Sequence, residues 1–178
     1  MKKILFAAVF LISTVSVEAG GFQVNLQGQK QIGMGDIGTG LLLDGSCIFF
    51  NPGALCFMTS STVNVSGSFI FPSTEYLAPS PSNYTSETTP GVDTPFNFYA
   101  NFKRKSTDKW GIGLAVYTPF GSRVQYPSDW KGEFLLQDID LKTFFIQPTF
   151  SYQLTPQLGI GLGAVIAVRR ESNPATPQ

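Results

Sequence analysis

The chain has 178 residues, long enough for one domain with a sizeable core, and its 12 lysine and arginine residues balance its 12 aspartate and glutamate residues. Zero net charge gives no field that would favour nucleic acid as a partner, and the absence of histidine removes the commonest general base and transition-metal ligand, so we predict neither an enzyme nor a bound cofactor. Charged residues make up only 13% of the chain, against roughly 25% in a typical soluble domain, so much of the surface is expected to face something other than water.

Residues 1–19 have the three parts of a secretory signal. Two lysines form the basic start, residues 4–17 form the apolar core, and residues 17–19 form a small-residue cleavage site. An uncleaved membrane anchor is the alternative, but the apolar run is shorter than the roughly 20 residues that a membrane-spanning helix needs. We therefore predict export, with cleavage near Ala19.

Residues 20–58 form an apolar, glycine-rich stretch between this signal and a series of alternating segments. Interior glycines weaken helices and strands alike, so the stretch is predicted to be irregular and to need shelter from a larger structure. We predict that it is a hatch, a segment that plugs the barrel built by the strands that follow. Its glycines include Gly28, Gly33, Gly35, Gly38, Gly40, Gly45 and Gly53.

Cys47 and Cys56 are the two cysteines of the chain. In an exported protein they could close a disulfide around residues 51–53, because the compartment outside the cytoplasm is oxidising. The alternative is a pair of buried free thiols, and the sequence favours neither arrangement. Neither one indicates catalysis.

Apolar and polar residues alternate with period two after the hatch, which predicts five strands within residues 59–170. The third strand breaks at residues 119–121, where a proline removes a ladder donor and a glycine permits a bend. The five predicted strands are residues 62–71, 96–103, 110–118, 141–154 and 158–168.

Loop lengths distinguish two kinds of β protein. Long polar loops at residues 72–95 and 119–140 alternate with short turns at residues 104–109 and 155–157. A soluble sandwich would have short connections throughout, whereas outer-membrane barrels combine long external loops with short periplasmic turns. We therefore predict an all-β fold, a transmembrane antiparallel β-barrel with an N-terminal hatch, in the bacterial outer membrane.

Five strands are fewer than the eight or more of bacterial outer-membrane barrels. The chain is therefore expected to be the N-terminal part of a larger barrel, with residues 171–178 as a truncated tail without strand character. A sheet of five strands alone would expose edges that invite pairing with other chains.

Three patterns are similar to functional motifs but have simpler explanations. Residues 33–38 fit the letters of the dinucleotide fingerprint, yet they follow a poor strand, so tight turns in a hatch explain the glycines better. Asp138 and Asp140 could be paired acid–base carboxylates, but their place at the mouth of a strand favours solvated loop residues. The third pattern consists of Tyr126, Trp130 and Lys131. These residues could contact a ligand at the outer surface, but we favour a role in anchoring the protein at the membrane interface.

Two short motifs flank the glycine-rich stretch, GFQVN at residues 21–25 and NPGAL at residues 51–55. Together with WGIG at residues 110–113 and LGIGLG at residues 158–163, they resemble the FadL/TodX family of outer-membrane transporters of long-chain fatty acids and other hydrophobic compounds. The resemblance covers nearly all of the chain after the signal.

The resemblance implies a fourteen-stranded barrel with the hatch in its lumen. Ligand would be captured outside, pass to a pocket beside the hatch, and leave sideways into the membrane through a gap at a kink in the third strand. The chain departs from the family's Asn-Pro-Ala motif by an inserted Gly53. The site residues implied are Phe22, Gln23, Asn51, Pro52 and Ala54 for the pocket and hatch, and Tyr117, Thr118, Pro119, Phe120 and Gly121 for the kink and lateral gap.

The function expected is passive outer-membrane transport of hydrophobic molecules, such as long-chain fatty acids or aromatic hydrocarbons. The expected partners are these small molecules and the outer-membrane lipid, and the oligomeric state is left open. A carboxylate head group would need a cation, for which Lys30 and Arg123 are the candidates. The alternative is a structural or adhesive surface protein whose long loops bind partners.

Overall fold

The structure is a computed structural model that describes residues 25–172. The predicted signal segment, the predicted site residues Phe22 and Gln23, and residues 173–178 lie outside the described part of the chain. No helix within residues 25–172 is long and apolar enough to cross a membrane.

The hatch, residues 25–58 of the described part, is mostly irregular, as its glycine content predicts. Three short helical segments interrupt it, and the last of them begins with a proline, whose fixed φ suits the first helical position. They are helix α1 (Gln29–Gly33), helix α2 (Cys47–Phe50) and a 3₁₀ helix (Pro52–Phe57).

The remainder of the described chain is β structure, in the strands β1 (Thr62–Gly67), β2 (Glu75–Leu77), β3 (Thr85–Glu87), β4 (Phe96–Phe102), β5 (Trp110–Tyr117), β6 (Gly121–Gln125), β7 (Asp138–Thr155), β8 (Leu158–Gly163) and β9 (Ile166–Ser172). All of their pairings are antiparallel. Seven strands form one sheet, which we call the wall, while β2 and β3 form a separate hairpin. The order across the wall is β1, β4, then β5 with β6, then β7, then β8 with β9.

Strands β5 and β6 are one strand interrupted by a bulge. Both pair with the same edge of β7, and their registers, Tyr117 opposite Phe145 and Gly121 opposite Lys142, leave three residues facing two. One extra residue of this kind is a β-bulge, which bends the strand that carries it. The bulge lies at the position where residues 119–121 predict a bend.

Pro148 explains the interruption between β8 and β9, which pair in turn with the other edge of β7. Pro148 O accepts a hydrogen bond from Ala164 N at 3.1 Å, but the proline has no N–H to donate back to the same residue. The ladder is therefore broken opposite Pro148. Counting each interrupted pair as one strand, the wall has five strand positions, as the alternation predicts.

The wall buries its polar side and exposes its apolar side, the reverse of a soluble sheet. On β4, Asn97 and Tyr99 are 2% and 1% exposed, whereas Phe96 and Phe102 are 40% and 50% exposed. On β1, Val65 is 73% exposed. An outer-membrane barrel wall has this pattern because its outward face meets lipid.

The core lies between the buried side of the wall and the hatch. The hatch contributes the fully buried Ile48 and Leu55, and the wall contributes Tyr99, Ala115 and Tyr117. Burying one isoleucine or leucine side chain stabilises the fold by about 1.5–3 kcal/mol. The hatch therefore supplies a substantial share of the core.

Strand boundaries differ from the prediction in the two long loops. The first strand ends at Gly67, and only an isolated bridge between Ile70 and Asp93 continues it. The hairpin β2–β3 lies inside the first long loop, and β6 and the first residues of β7 lie inside the second. These segments are short and mostly polar, so they carry no clear period-two signal.

Candidate functional site

The hatch packs on the wall through glycines of two strands. Gly113 of β5 packs against the side chain of Ile48. Two further contacts involve the backbone of the hatch: on β5, a Cβ at Gly111 would lie 2.9 Å from Leu55 O, and on β8, a Cβ at Gly161 would lie 2.5 Å from the carbonyl oxygen of Pro52. A side chain at either position would push the hatch away from the wall. We call this interface, made by α2 and the 3₁₀ helix on β5 and β8, the glycine contact.

The predicted motif residues Asn51, Pro52 and Ala54 lie in this contact. Asn51 ends α2 and precedes the 3₁₀ helix, and its Nδ2 donates to Thr39 O at 3.0 Å. Pro52 begins the 3₁₀ helix, and Ala54 packs on the core. The three residues therefore fix the turn that places the hatch on the wall.

The inserted Gly53 faces β8. A Cβ at Gly53 would lie 2.8 Å from Gly159 O, so the two backbones meet at two facing glycines. The insertion that separates this chain from the Asn-Pro-Ala motif thus has a packing reason, because no larger residue fits where the turn touches the wall.

A buried glutamine of the wall holds α2. Gln147 Nε2 donates to Ile48 O at 3.0 Å, and Tyr117 Oη donates to Gln147 Oε1 at 2.7 Å. Gln147 is 6% exposed, so water has little access to replace these bonds. One side chain therefore connects Tyr117, at the start of the bulge, to the hatch.

A buried lysine holds the other end of the hatch. Lys103 is 5% exposed, and its Nζ donates to Cys56 O at 2.6 Å and to Asp108 O in the short turn after β4. Charge-assisted bonds to carbonyl oxygens offset part of the cost of desolvating the ammonium group. The end of the hatch is thereby fixed to the short-turn edge of the wall.

Side chains connect the hatch to β1 and β4. Asn64 Oδ1 accepts from Gly45 N at 3.1 Å, and Asn97 Nδ2 donates to Leu26 O at 2.6 Å. We call this interface the polar seam. Further polar residues are buried in or beside it: Gln27, Gln31, Ser46 and Asn101.

At the bulge, side chains and a carbonyl replace the regular ladder. Thr118 Oγ1 accepts from Phe96 N at 3.1 Å and donates to Phe96 O at 3.3 Å. Phe120 O accepts from Thr143 N at 3.1 Å and from Thr143 Oγ1 at 2.7 Å. Pro119, between them, is buried and has no donor. The predicted kink residues thus lie together at one local break in the wall.

A cavity of about 280 Å³ lies beside this break. The outward-facing rings of Phe96 and Phe144 border it with centroids 6.1 Å apart, and Phe120 borders it from the bulge. Lys142 and Asp93 are the charged residues that line it. Because most of the lining is apolar, the cavity suits a hydrophobic chain.

Both cysteines are buried free thiols, so the structure has the second of the two predicted alternatives. Cys56 Sγ donates to Gly53 O at 3.2 Å. Burial, with a smaller contribution from Asp44, raises the pKa of the Cys47 thiol from 9.0 to about 12. Such a thiol stays protonated, which agrees with a packing role.

The aromatic residues of the second long loop pack within the loops. Tyr126 and Trp130 are buried and stack with centroids 4.2 Å apart. Trp130 also meets Tyr76, and Lys131 lies over the ring of Tyr84 at 4.5 Å. These residues join the two long loops to each other, so Tyr126 and Trp130 lack the exposure that an anchor in the membrane interface needs.

The remaining candidate motifs form no catalytic or metal site in the described residues. Residues 33–38 continue from α1 into a turn with positive φ at Gly35 and Asp36, 77° and 63°, and residues 25–32, which precede them in the described part of the chain, contain no strand. Asp140 pairs with Lys142 at 2.9 Å on the same strand. Within residues 25–172 no three histidine, cysteine, aspartate or glutamate side chains cluster as a metal site.

Sequence reasoning missed the residues that attach the hatch to the wall. Gln147 and Lys103 were polar members of alternating strands, and alternation shows only that they face inward. The glycines of β5 and β8 gave a clearer signal, because Gly111, Gly113 and Gly161 share the inward face. Glycine on a strand marks a place where another backbone approaches closely.

Comparison with known proteins gives one family and several relatives. Residues 9–173 match the family described as "Outer membrane protein transport protein (OMPP1/FadL/TodX)". The chain is 27% identical over 135 residues to an outer membrane protein of Neisseria meningitidis serogroup B, covering 72% of this chain and 29% of the relative. It is 24% identical over 163 residues to the long-chain fatty acid transport protein of Salmonella typhi, covering 91% of this chain and 37% of that protein.

A solved structure has the same fold. The crystal structure of a Pseudomonas aeruginosa FadL homologue superposes with a TM-score of 0.61 at 18% identity, over 83% of this chain and 38% of that one. The predicted fold class, an antiparallel β-barrel wall with an N-terminal hatch, is thereby confirmed. The chain spans roughly a third of the length of these relatives.

Proposed function

Because the chain belongs to the OMPP1/FadL/TodX family of outer-membrane transport proteins, we propose that it forms part of a passive route for hydrophobic molecules across the outer membrane. The proposed cargo is a long-chain fatty acid or an aromatic hydrocarbon. The polar surface of the membrane opposes entry of such a solute, and an apolar path lowers that barrier without covalent chemistry. Each Å² of apolar surface buried on binding contributes about 25 cal/mol.

The observation that carries the proposal is the connection between the hatch and the break in the wall. Ile48 of the hatch is bonded to Gln147, and Gln147 is bonded to Tyr117 at the start of the bulge. A shift of α2 therefore changes the position of the strand end beside the cavity. This supports a mechanism in which movement of the hatch opens a lateral gap in the wall.

In this mechanism the predicted site residues have two roles. Phe22 and Gln23 are the proposed contacts of the cargo in a pocket beside the hatch, and Asn51, Pro52 and Ala54 position the turn that holds the hatch on the wall. Residues 117–121 form the lateral gap, from which cargo leaves between outward-facing aromatic rings into the lipid.

For a carboxylate head group we favour Lys30 over Arg123. The side chain of Lys30 is 62% exposed, and its ion pair with Asp44 is long, at 3.9 Å. Lys30 lies in the hatch, close in sequence to the exposed apolar residues Met34 and Ile37. A cation next to apolar surface suits an amphipathic acid. Arg123 lies outside the hatch, on β6.

The test is uptake of labelled oleate and labelled toluene by three strains: the parent, a strain lacking the encoding gene, and that strain complemented with the gene and any coding sequence that adjoins it. We expect the deletion to reduce uptake and complementation to restore it. Equal uptake by all three strains would refute the proposal.

Deleting Pro119 tests the lateral gap. Removal of one residue eliminates the bulge and lets β5 and β6 form one regular ladder, so uptake should fall to the level of the deletion strain while the protein remains in the outer membrane. Deletion of the exposed loop residue Ser128 is the matched control and should leave uptake unchanged. If the Pro119 variant transports normally, the cargo does not leave through the break.

Transport and the adhesive alternative make opposite predictions for a change in the hatch. Replacing Asn51 and Pro52 by alanine should reduce uptake while display of the long loops at the cell surface persists. An adhesive protein would keep its function in that variant, because its loops would be intact.

A further inference from the structure

The outward face of the wall carries two cations directly beside each other at the long-loop end. Lys142 on β7 is opposite Arg170 on β9, so the two side chains share one face. The next rows on the same face are apolar: Phe144 is opposite Val168, and Ile146 is opposite Ile166. The face thus changes from basic to apolar in a single step of two residues.

The position along the wall at which the outward face changes from basic to apolar matches the expected edge of the bilayer. From Lys142 to the outward-facing Tyr152 near the short-turn end, β7 advances ten residues, or about 33 Å at roughly 3.3 Å per residue. A strand tilt of about 40° reduces this to about 25 Å, the height of the apolar band of an outer-membrane barrel. Lys142 and Arg170 therefore lie at head-group level on the side of the long loops, which is the outer leaflet in such barrels.

A neighbouring carboxylate neutralises only one of the two cations. Asp140 is bonded to Lys142 at 2.9 Å and also lies opposite Arg123 one row further from the apolar band, so it is not available to Arg170. Arg170 has no ion-pair partner among the described side chains. Like charges directly opposite each other on a sheet are unfavourable unless an anion lies between them.

We propose that this face binds a phosphate-bearing lipid of the outer leaflet, with its phosphate on Lys142 and Arg170 and an acyl chain along the two apolar rows below them. Val168 and Ile166 are 49% and 56% exposed, so the rows are open to a chain from the membrane. Phosphate supplies the missing anion, and acyl chains cover surface that would otherwise face water. The site shares Lys142 and Phe144 with the cavity beside the break, but its test measures lipid binding and does not depend on uptake.

The experiment uses the protein produced from the encoding gene with any adjoining coding sequence, purified in detergent. It is titrated with lipid A, with phosphatidylcholine and with inorganic phosphate, and bound molecules are counted by native mass spectrometry. We expect lipid A to be retained in preference to phosphatidylcholine, and inorganic phosphate at the same concentration not to displace it. Displacement by inorganic phosphate would overturn the proposal in favour of a free-anion site.

The variant Lys142→Gln/Arg170→Gln removes both charges. Each cation near an anionic lipid surface strengthens binding about fivefold, so affinity for lipid A should fall about thirtyfold. The control Arg104→Gln/Lys105→Gln makes the same charge change in the exposed short turn at the other end of the wall and should not alter affinity.

The charge-preserving variant Lys142→Arg/Arg170→Lys guards against a folding defect. It should bind lipid A as the unaltered protein does. The folding of each variant is checked by whether its folded band on gels resists detergent. Equal lipid A affinity in the neutral variant and the unaltered protein, or an equal loss in the short-turn control, would overturn the proposal.

Discussion

The hatch meets the wall in two chemically different ways. In the glycine contact, its backbone lies so close to β5 and β8 that no Cβ fits. In the polar seam, asparagine side chains of β1 and β4 reach its backbone through hydrogen bonds of 2.6–3.1 Å. Water can take over a hydrogen bond, but it cannot enter a contact between two backbones. The hatch is therefore clamped on one side and releasable on the other.

The two interfaces involve different parts of the hatch. The glycine contact and Lys103 hold residues 48–56, whereas the polar seam holds residues 26–45. A rearrangement that opens a path past the hatch is thus expected to detach residues 26–45 from the wall. Residues 48–56 should stay in contact with the wall, so that α2 moves only together with Gln147 and Tyr117. The predictions below test this division.

The largest effect is expected from Gly161→Ala, in the glycine contact. The added Cβ would lie 2.5 Å from the Pro52 carbonyl oxygen and 2.6 Å from Gly53 N, so backbone must move, and we expect a loss of about 3 kcal/mol in the free energy of unfolding. Urea unfolding followed by tryptophan fluorescence in detergent measures it.

Gly67→Ala is the matched control for this substitution. Gly67 lies in the same wall, and the nearest atom to an added Cβ is Pro95 O at 3.5 Å, an ordinary contact. The control should unfold as the unaltered protein does. Equal stability of the two variants would show that the hatch can move away from β8 at little cost, which contradicts the clamp.

A smaller effect is expected from Asn97→Ala, in the polar seam. The substitution leaves Leu26 O without its donor, and one lost neutral hydrogen bond costs about 1 kcal/mol. Gln147→Ala, on β7 beside the glycine contact, removes bonds to Ile48 O and Tyr117 Oη and should cost about twice as much. The same unfolding measurement compares them, and a larger loss for Asn97→Ala would reverse the assignment of the two interfaces.

Most of the wall follows from elementary sequence patterns. Period-two alternation predicts the inward Asn97 and Tyr99 and the outward Phe96, because strand side chains alternate between faces. The break in the third strand is predicted by Pro119, which cannot donate to a ladder. These features are local, so a single strand contains the information that determines them.

The attachments of the hatch could not be predicted in the same way. The hatch has no repeating period, so nothing in the sequence states which of its carbonyl groups faces which strand. Gln147 and Ile48 are 99 positions apart in the sequence, which is far beyond the reach of any local pattern. The strand β6 was missed for a different reason: it has five residues, of which only Val124 is a large apolar residue, too few to show an alternating pattern.

The smallest effect concerns Cys47, which reports whether water reaches the glycine contact. Because the pKa of this thiol is raised from 9.0 to about 12, mainly by burial, its neutral form is favoured in the folded protein. The unfolded thiol ionises above pH 9, so this group has no effect on stability at pH 7 and lowers stability progressively as pH rises from about 9 to about 12.

Alkylation by iodoacetamide at pH 9, in a Cys56→Ala background that leaves one thiol, tests this directly. Only the thiolate reacts, so folded protein should be labelled more than about a hundredfold more slowly than urea-unfolded protein. In an Asn97→Ala variant the Cys47 thiol should remain equally protected, because the substitution lies in the polar seam and leaves the glycine contact intact. Rapid labelling of the folded protein would show that water enters beside Ile48, and the division of the hatch into a clamped part and a releasable part would then be wrong.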